Sequence, residues 1–189
     1  MKNQNSGGHV PSAKEKNVFE VDPKLSHLEW CGKKIGGEHI GTISLSNGRV
    51  FSENGNISGS FEVDMSSIVS TDLQGEWKEK LEGHLRSEDF FGTDKYPKAK
   101  LEITSAIPIE NQPGRYAVKG GLTIKATTHP VAFMADLNKE ETRMEGYGEI
   151  VVDRSKYDVR YGSKSFFANI GDKMIHDEFQ IKFKIVALK

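Results

Sequence analysis

The chain has 189 residues, of which 36% are hydrophobic and 28% charged. Its 26 basic and 27 acidic residues leave a formal net charge of −1, which argues against a nucleic-acid partner, since such proteins carry a clear basic excess. No apolar run reaches the ~18 residues of a transmembrane span, and a single cysteine excludes an internal disulfide or a thiolate zinc site.

Residues 1–17 are polar and rich in Gly, Ser and Lys, and read as a disordered tail or linker. They hold no apolar signal-peptide core. The tail suits either a cytosolic N-terminus or the mature start of an exported protein. The domain is expected over 18–189. From Val18 onward the pattern has period two. Leu28 and Trp30 alternate with His27, Glu29 and Cys31. Ile57, Gly59, Phe61, Val63 and Met65 form the next apolar series, and Asn-Gly pairs at Asn47-Gly48 and Asn54-Gly55 read as hairpin turns. Thr71 to Gln74 resembles a capping box opening a helix, with Leu73, Trp77, Leu81 and Leu85 along one face.

Beyond the helix come Ala99, Leu101 and Ile103, a turn at Asn111–Gly114, and series at Tyr116–Ile124 and Val131–Leu137. Gly146 and Gly148 lie in a strand-like stretch, as at barrel bends. A short second helix is expected from Ser163 to Asn169, stopped by Gly171. Phe179, Ile181, Phe183 and Ile185 close the chain. About eight antiparallel strands with one apolar face imply an all-β fold. A barrel removes its sheet edges, although a sandwich uses the same alternation.

Catalytic templates are missing. There is no nucleophile elbow, phosphate-binding loop or zinc-protease motif, and the six histidines lack metal-ligand spacing. No cofactor is expected. Cys31 should face outward and be inert. Arg86 and Arg154, in clusters of charge, could hold an oxyanion or tie strand ends together. The aromatic residues Trp30, Phe61, Phe90, Phe91, Phe133, Phe166, Phe167 and Phe183 could form a solid core or line a channel.

Five segments in order carry a resemblance: VDPKLSHLEWCGKK (21–34), HLRSEDFFGTDKYPKAKLEIT (84–104), LTIKATTHPVAF (122–133), VDRSKYDVRYGS (152–163) and GDKMIHDEFQIKFKIV (171–186). The sequence resembles the YceI-like family of polyisoprenoid-binding, lipocalin-like proteins. Ala126 stands where the family more often has Gly. The resemblance implies an eight-stranded antiparallel lipocalin-like barrel with a helix packed across it and one short extra helix. It further implies an isoprenoid ligand, a polyprenyl phosphate or a prenylated quinone or precursor, bound without catalysis. Periplasmic or cell-envelope residence and a homodimer are family traits, and a cytoplasmic location is the alternative. Expected tail-lining residues are Trp30, Phe61, Val63, Leu101, Ile103, Phe133 and Phe183. Phe90, Phe91, Phe166 and Phe167 are expected near the mouth, and His84, Arg86 and Arg154 at the headgroup. Two competing readings are a headgroup-modifying enzyme using His84 with Asp89 or His129, and a solid barrel without ligand.

Overall fold

Apolar alternation becomes antiparallel ladder throughout the computed structural model, which describes residues 16–167 and 174–189. In chain order the elements are β1 (Lys16–Val21), β2 (His27–Lys34), β3 (Gly37–Glu53), β4 (Asn56–Ser70), helix α1 (Gly75–Arg86), β5 (Lys98–Pro108), β6 (Arg115–Ile124), β7 (Thr127–Lys139), β8 (Arg143–Asp153), a 3-10 turn (Arg154–Tyr157) and β9 (Ile175–Leu188). Strands β2 to β9 each pair with the next, and β9 returns to β2, so the sheet closes on itself.

The barrel has eight staves although nine strands are described, because β1 and β2 share one stave. β1 pairs with the end of β3 (Lys16↔Glu53 to Glu20↔Arg49) and with the end of β9. β2 pairs with the start of β3 and with the rest of β9. Between them the chain turns on Asp22, whose carboxylate accepts from the Lys24 and Leu25 amides. Lys16 and Asn17, expected in the tail, belong to β1; residues 1–15 lie outside the described set.

Asn54 (φ 51°) and Gly55 (φ 81°) make the tight β3–β4 turn that positive φ permits. Asn47-Gly48 is not a turn. It lies inside the 17-residue β3 beside a bulge, and the ladder to β4 runs straight through it. A second irregularity at Met65–Ser67 lets Ser67 Oγ accept from the Ser44 amide, and it shifts parity so that Ile68 is buried.

The capping box is also absent. The helix starts at Gly75 with Gln74 as an N-cap that makes no side-chain bond. Thr71 instead gives its amide to the Ile40 carbonyl, extending the sheet past β4. Of the expected helix face, Leu85 is buried and Leu81 partly so, but Trp77 is 72% exposed. The expected second helix is a turn as far as Phe167, with Ser163 O accepting from the Phe166 and Phe167 amides. Ala168, Asn169 and Gly171 lie outside the described residues. The 3-10 turn after β8, Arg154–Tyr157, was not expected.

Candidate ligand-binding cavity

Antiparallel order sends the ends of β2, β4, β6 and β8 and the starts of β3, β5, β7 and β9 to one end of the barrel. α1 and the β8–β9 connection lie at that end. The opposite end is stopped by buried side chains, including Phe19 and Val21 of β1 with Val50, Val118, Met144 and Ala187. The interior between is hollow, a cavity of about 260 Å³. That approaches the ~300 Å³ at which ordinary ligand pockets begin.

Its wall is built by the inward set of each strand. Trp30, Phe61, Val63, Leu101, Ile103, Phe133 and Phe183 all line it. So do Phe90 and Phe91, from the loop after α1, and Leu81 and Leu85 of α1 itself. The aromatic residues pack edge to face: Phe133 on Phe183 with centroids 5.8 Å apart, Phe90 on Phe91 at 5.0 Å. Two glycines make room for rings. A Cβ on Gly41 would sit 1.9 Å from Val69 O and 2.5 Å from the Trp30 indole, whose Nε1 donates to Thr42 O and Val69 O. A Cβ on Gly148 would sit 2.7 Å from the Phe183 ring, so the expected bend at this position is a close approach.

Polar wall residues gather at the mouth: Lys33, Lys34, His39, His84, Arg154 and His176, with Ser58 the exception in β4. Arg154 is 2% exposed and does not reach for a ligand. Its Nε donates to His176 O, Nη1 to Val159 O and Tyr161 O, and Nη2 to Ile175 O. Burial pushes its pKa down, against Asp177 3.6 Å away and Asp153. The guanidinium thus staples the β8–β9 connection to the barrel, correcting the headgroup assignment. Arg86 is corrected too. It lies off the cavity, with Nη2 donating to Ile68 O at 2.7 Å and toward Glu82, which also takes the Ser70 amide.

His84 does line the mouth. Its Nε2 is buried with no hydrogen-bond partner among the described residues. Phe90 and Tyr161 pack edge-on against the ring, at 5.5 and 4.3 Å. Burial holds its pKa below the ordinary histidine value, opposed by the charge of Asp89. His84 therefore brings a ring with an unpartnered nitrogen to the apolar mouth. No hydrogen bond or ion pair joins His84 to Asp89 among the described residues, and His129 sits against Tyr157 with Nε2 2.9 Å from Lys156 O. The three residues of the enzymatic reading are not assembled. Phe166 and Phe167 are 40% and 52% exposed and do not line the cavity.

Sequence reasoning missed His39, which is 2.8 Å from Asp72. Burial pushes the Asp72 carboxyl up, but bonds from His39, Ser70 and the Ile40 amide outweigh it and hold it below its usual range. It also missed His176, Lys33 and Lys34. Ile181 and Ile185 line the cavity as well, and their alternation with Phe183 was a visible signal. Cys31 stays off the cavity, and burial and Glu38 push its thiol pKa up.

A family model described as a YceI-like domain matches residues 19–187. The chain belongs to the YceI-like family. Among curated relatives, a UPF0312 protein of Photorhabdus laumondii is 38% identical over 73 residues, covering 39% of this chain and 35% of the relative. A UPF0312 protein of Pseudomonas putida is 32% identical over 128 residues, covering 65% and 62%. The matched part thus spans less than two thirds of either relative's length. Two solved structures share the fold. BcnA of Burkholderia cenocepacia superposes with a TM-score of 0.70 at 22% identity, covering 88% of this chain and 99% of that one. A polyisoprenoid binding domain from Saccharophagus degradans, implicated in plant cell wall breakdown, gives 0.65 at 12% identity, covering 90% and 97%. Among the described residues, no helix of this YceI-like barrel is long and apolar enough to cross a membrane.

Proposed function

We propose that this YceI-like barrel binds and carries a long-chain isoprenoid lipid, tail in the cavity and head at the mouth. The observation that carries the reading is a hollow interior whose wall is apolar along its length, with polar groups confined almost wholly to one end. Each five-carbon unit moved from water into such a space gains on the order of 4 kcal/mol gross, partly offset by ordering of the tail. Trp30, Phe61, Val63, Leu101, Ile103, Phe133 and Phe183 would hold the tail. Phe90 and Phe91 would flank its upper part, and His84 would meet the head. The polyisoprenoid binding of the Saccharophagus neighbour supports the cargo class. Cell-envelope residence follows from the family resemblance, and no catalytic step is part of this reading.

Native mass spectrometry of the protein purified from its own host tests it. A bound species that denaturation releases as a prenyl lipid is the expected result. An apo mass that persists after incubation with prenols, prenyl phosphates and prenylquinones would overturn it.

A further inference from the structure

The mouth end carries apolar side chains that the barrel does not use. Trp77 opens the stripe that continues through Leu81 and Leu85, yet those two line the cavity while Trp77 is 72% exposed. The stripe runs past the wall that covers it. Ile35, at the tip of the β2–β3 hairpin, is 45% exposed, and Phe166 and Phe167 are exposed on the β8–β9 connection. Hydrogen bonds tie these pieces together. Ile35 N donates to Met174 O, Ile175 N to Gly162 O, and the Phe166 and Phe167 amides to Ser163 O. The Tyr161 ring then bridges this connection to His84 of α1. Ile35, Phe166 and Phe167 thus lie on connections at the mouth end and Trp77 on the helix beside it, while Leu25, Ile107, Met134 and Val151 are exposed elsewhere. Exposed apolar groups gathered at one end are the kind of feature that marks an interaction site.

Cations stand among these residues. Lys80 lies 5.2 Å from the Trp77 ring and Arg160 5.0 Å from that of Phe166. Those two have acidic partners, Glu76 and Asp158. Lys33 and Lys34, both exposed on the hairpin, form no ion pair among the described residues, with Glu38 across the ladder from Lys33. Aromatic side chains with basic companions suit the boundary between lipid headgroups and acyl chains.

We propose that this rim docks on a phospholipid bilayer surface, with Ile35, Trp77, Phe166 and Phe167 entering the headgroup region and the lysines meeting lipid phosphates. It rests on the carrier reading for its purpose: a water-insoluble tail then passes between bilayer and cavity without crossing water. A protein partner at the same rim would need neither lipid phosphates nor acyl chains.

Flotation with cargo-free vesicles tests the docking, using phosphatidylcholine alone and phosphatidylcholine mixed with phosphatidylglycerol. The wild-type chain should bind both, the mixed vesicles more strongly. The variant I35S/W77S/F166S/F167S should lose binding to both by about tenfold or more. The variant M134S/V151S, which removes exposed apolar residues from the barrel flank, should bind as wild type. Absence of wild-type binding, or equal binding by the rim variant, would overturn the proposal. If the rim variant fails to fold, bromine-labelled acyl chains give the same answer: they should quench wild-type fluorescence well beyond that of Trp77→Phe, and equal quenching would overturn it. Uptake of a long-chain prenol separates the two readings. From detergent it should be the same for wild type and rim variant, and from vesicles slower for the variant. Vesicle binding without prenol uptake from either source would remove the carrier reading and leave the docking in place.

Discussion

The two ends of the barrel solve opposite problems. Away from α1, tight turns join the strands, and β1 closes the space with Phe19, 1% exposed, and Val21. At the α1 end two of the four connections, β2–β3 and β6–β7, are also tight hairpins, but the other two are a helix with its loop and a long connection, and the space behind them is left open. Side chains along the middle of the inner wall show the same contrast. Leu101, Ile103, Phe133, Ile181 and Phe183 point inward but stay only partly buried, whereas Ala106, Val118 and Ala187 lie at 2% exposure or less. The far end is closed by buried apolar side chains. The mouth is held by directed polar bonds, of which the four Arg154 donors are the clearest case.

Substitutions that attack each kind of cohesion should separate the ends. Arg154→Leu strands four carbonyls and leaves Asp177 without its cation, and should cost about 3–5 kcal/mol in chemical denaturation. Arg154→Lys should recover little of it, because an ammonium cannot match the planar fork. Phe19→Ala should cost a comparable ~3–4 kcal/mol at the packed end. Phe133→Ala, on a wall already facing a void, should cost about half as much or less, with the larger change in prenol affinity. Equal losses at Phe19 and Phe133 would mean that the interior is filled.

Smaller effects follow from titration. His84 binds its proton less readily in the folded state than in the unfolded one, so the unfolded chain takes up more protons near its ordinary pKa of about 6.5. Stability should therefore fall as pH drops below that value, and His84→Gln should flatten the slope of melting temperature against pH. Smallest is Glu62 on the outer wall. Bonds from Lys98, Asn47 and Lys100 lower its pKa to about 2. That contribution is present above the ordinary carboxylate range and is lost as pH falls toward 2. At this solvated site Glu62→Gln should cost no more than about 1 kcal/mol at neutral pH.

The ladder was legible because inner and outer faces alternate with a strict period, from Leu28 and Trp30 to Phe179 through Ile185. The breaks in that period were not. Asn47-Gly48 has local turn chemistry, but pairing with β4 on one side overrides it. Thr71 has the chemistry of a cap, yet its amide and its hydroxyl both donate to the carbonyl of Ile40, a residue 31 positions away. Sequence ranks Arg86 and Arg154 as equal candidates for an anion. Only tertiary placement shows Arg154 spent on backbone carbonyls and Arg86 tied to Ile68 O and Glu82. His84 Nε2 and Arg86 Nε are both buried without a partner among the described residues, and of the two residues His84 lines the cavity. His39 and Asp72 meet only because β3 and β4 pair, and nothing local announces it.

The stave shared by β1 and β2 has a consequence for how the chain is made. Its neighbours are β3 and β9, so the ring joins residues 16–34 to residues 175–188. Until β9 has been synthesised, β2 and β8 each present an unpaired edge, which is a template for pairing with other chains. Contacts of such long sequence separation also form slowly. Closure of the ring thus waits for β9, and the interval before it is when a growing chain most needs protection from its neighbours.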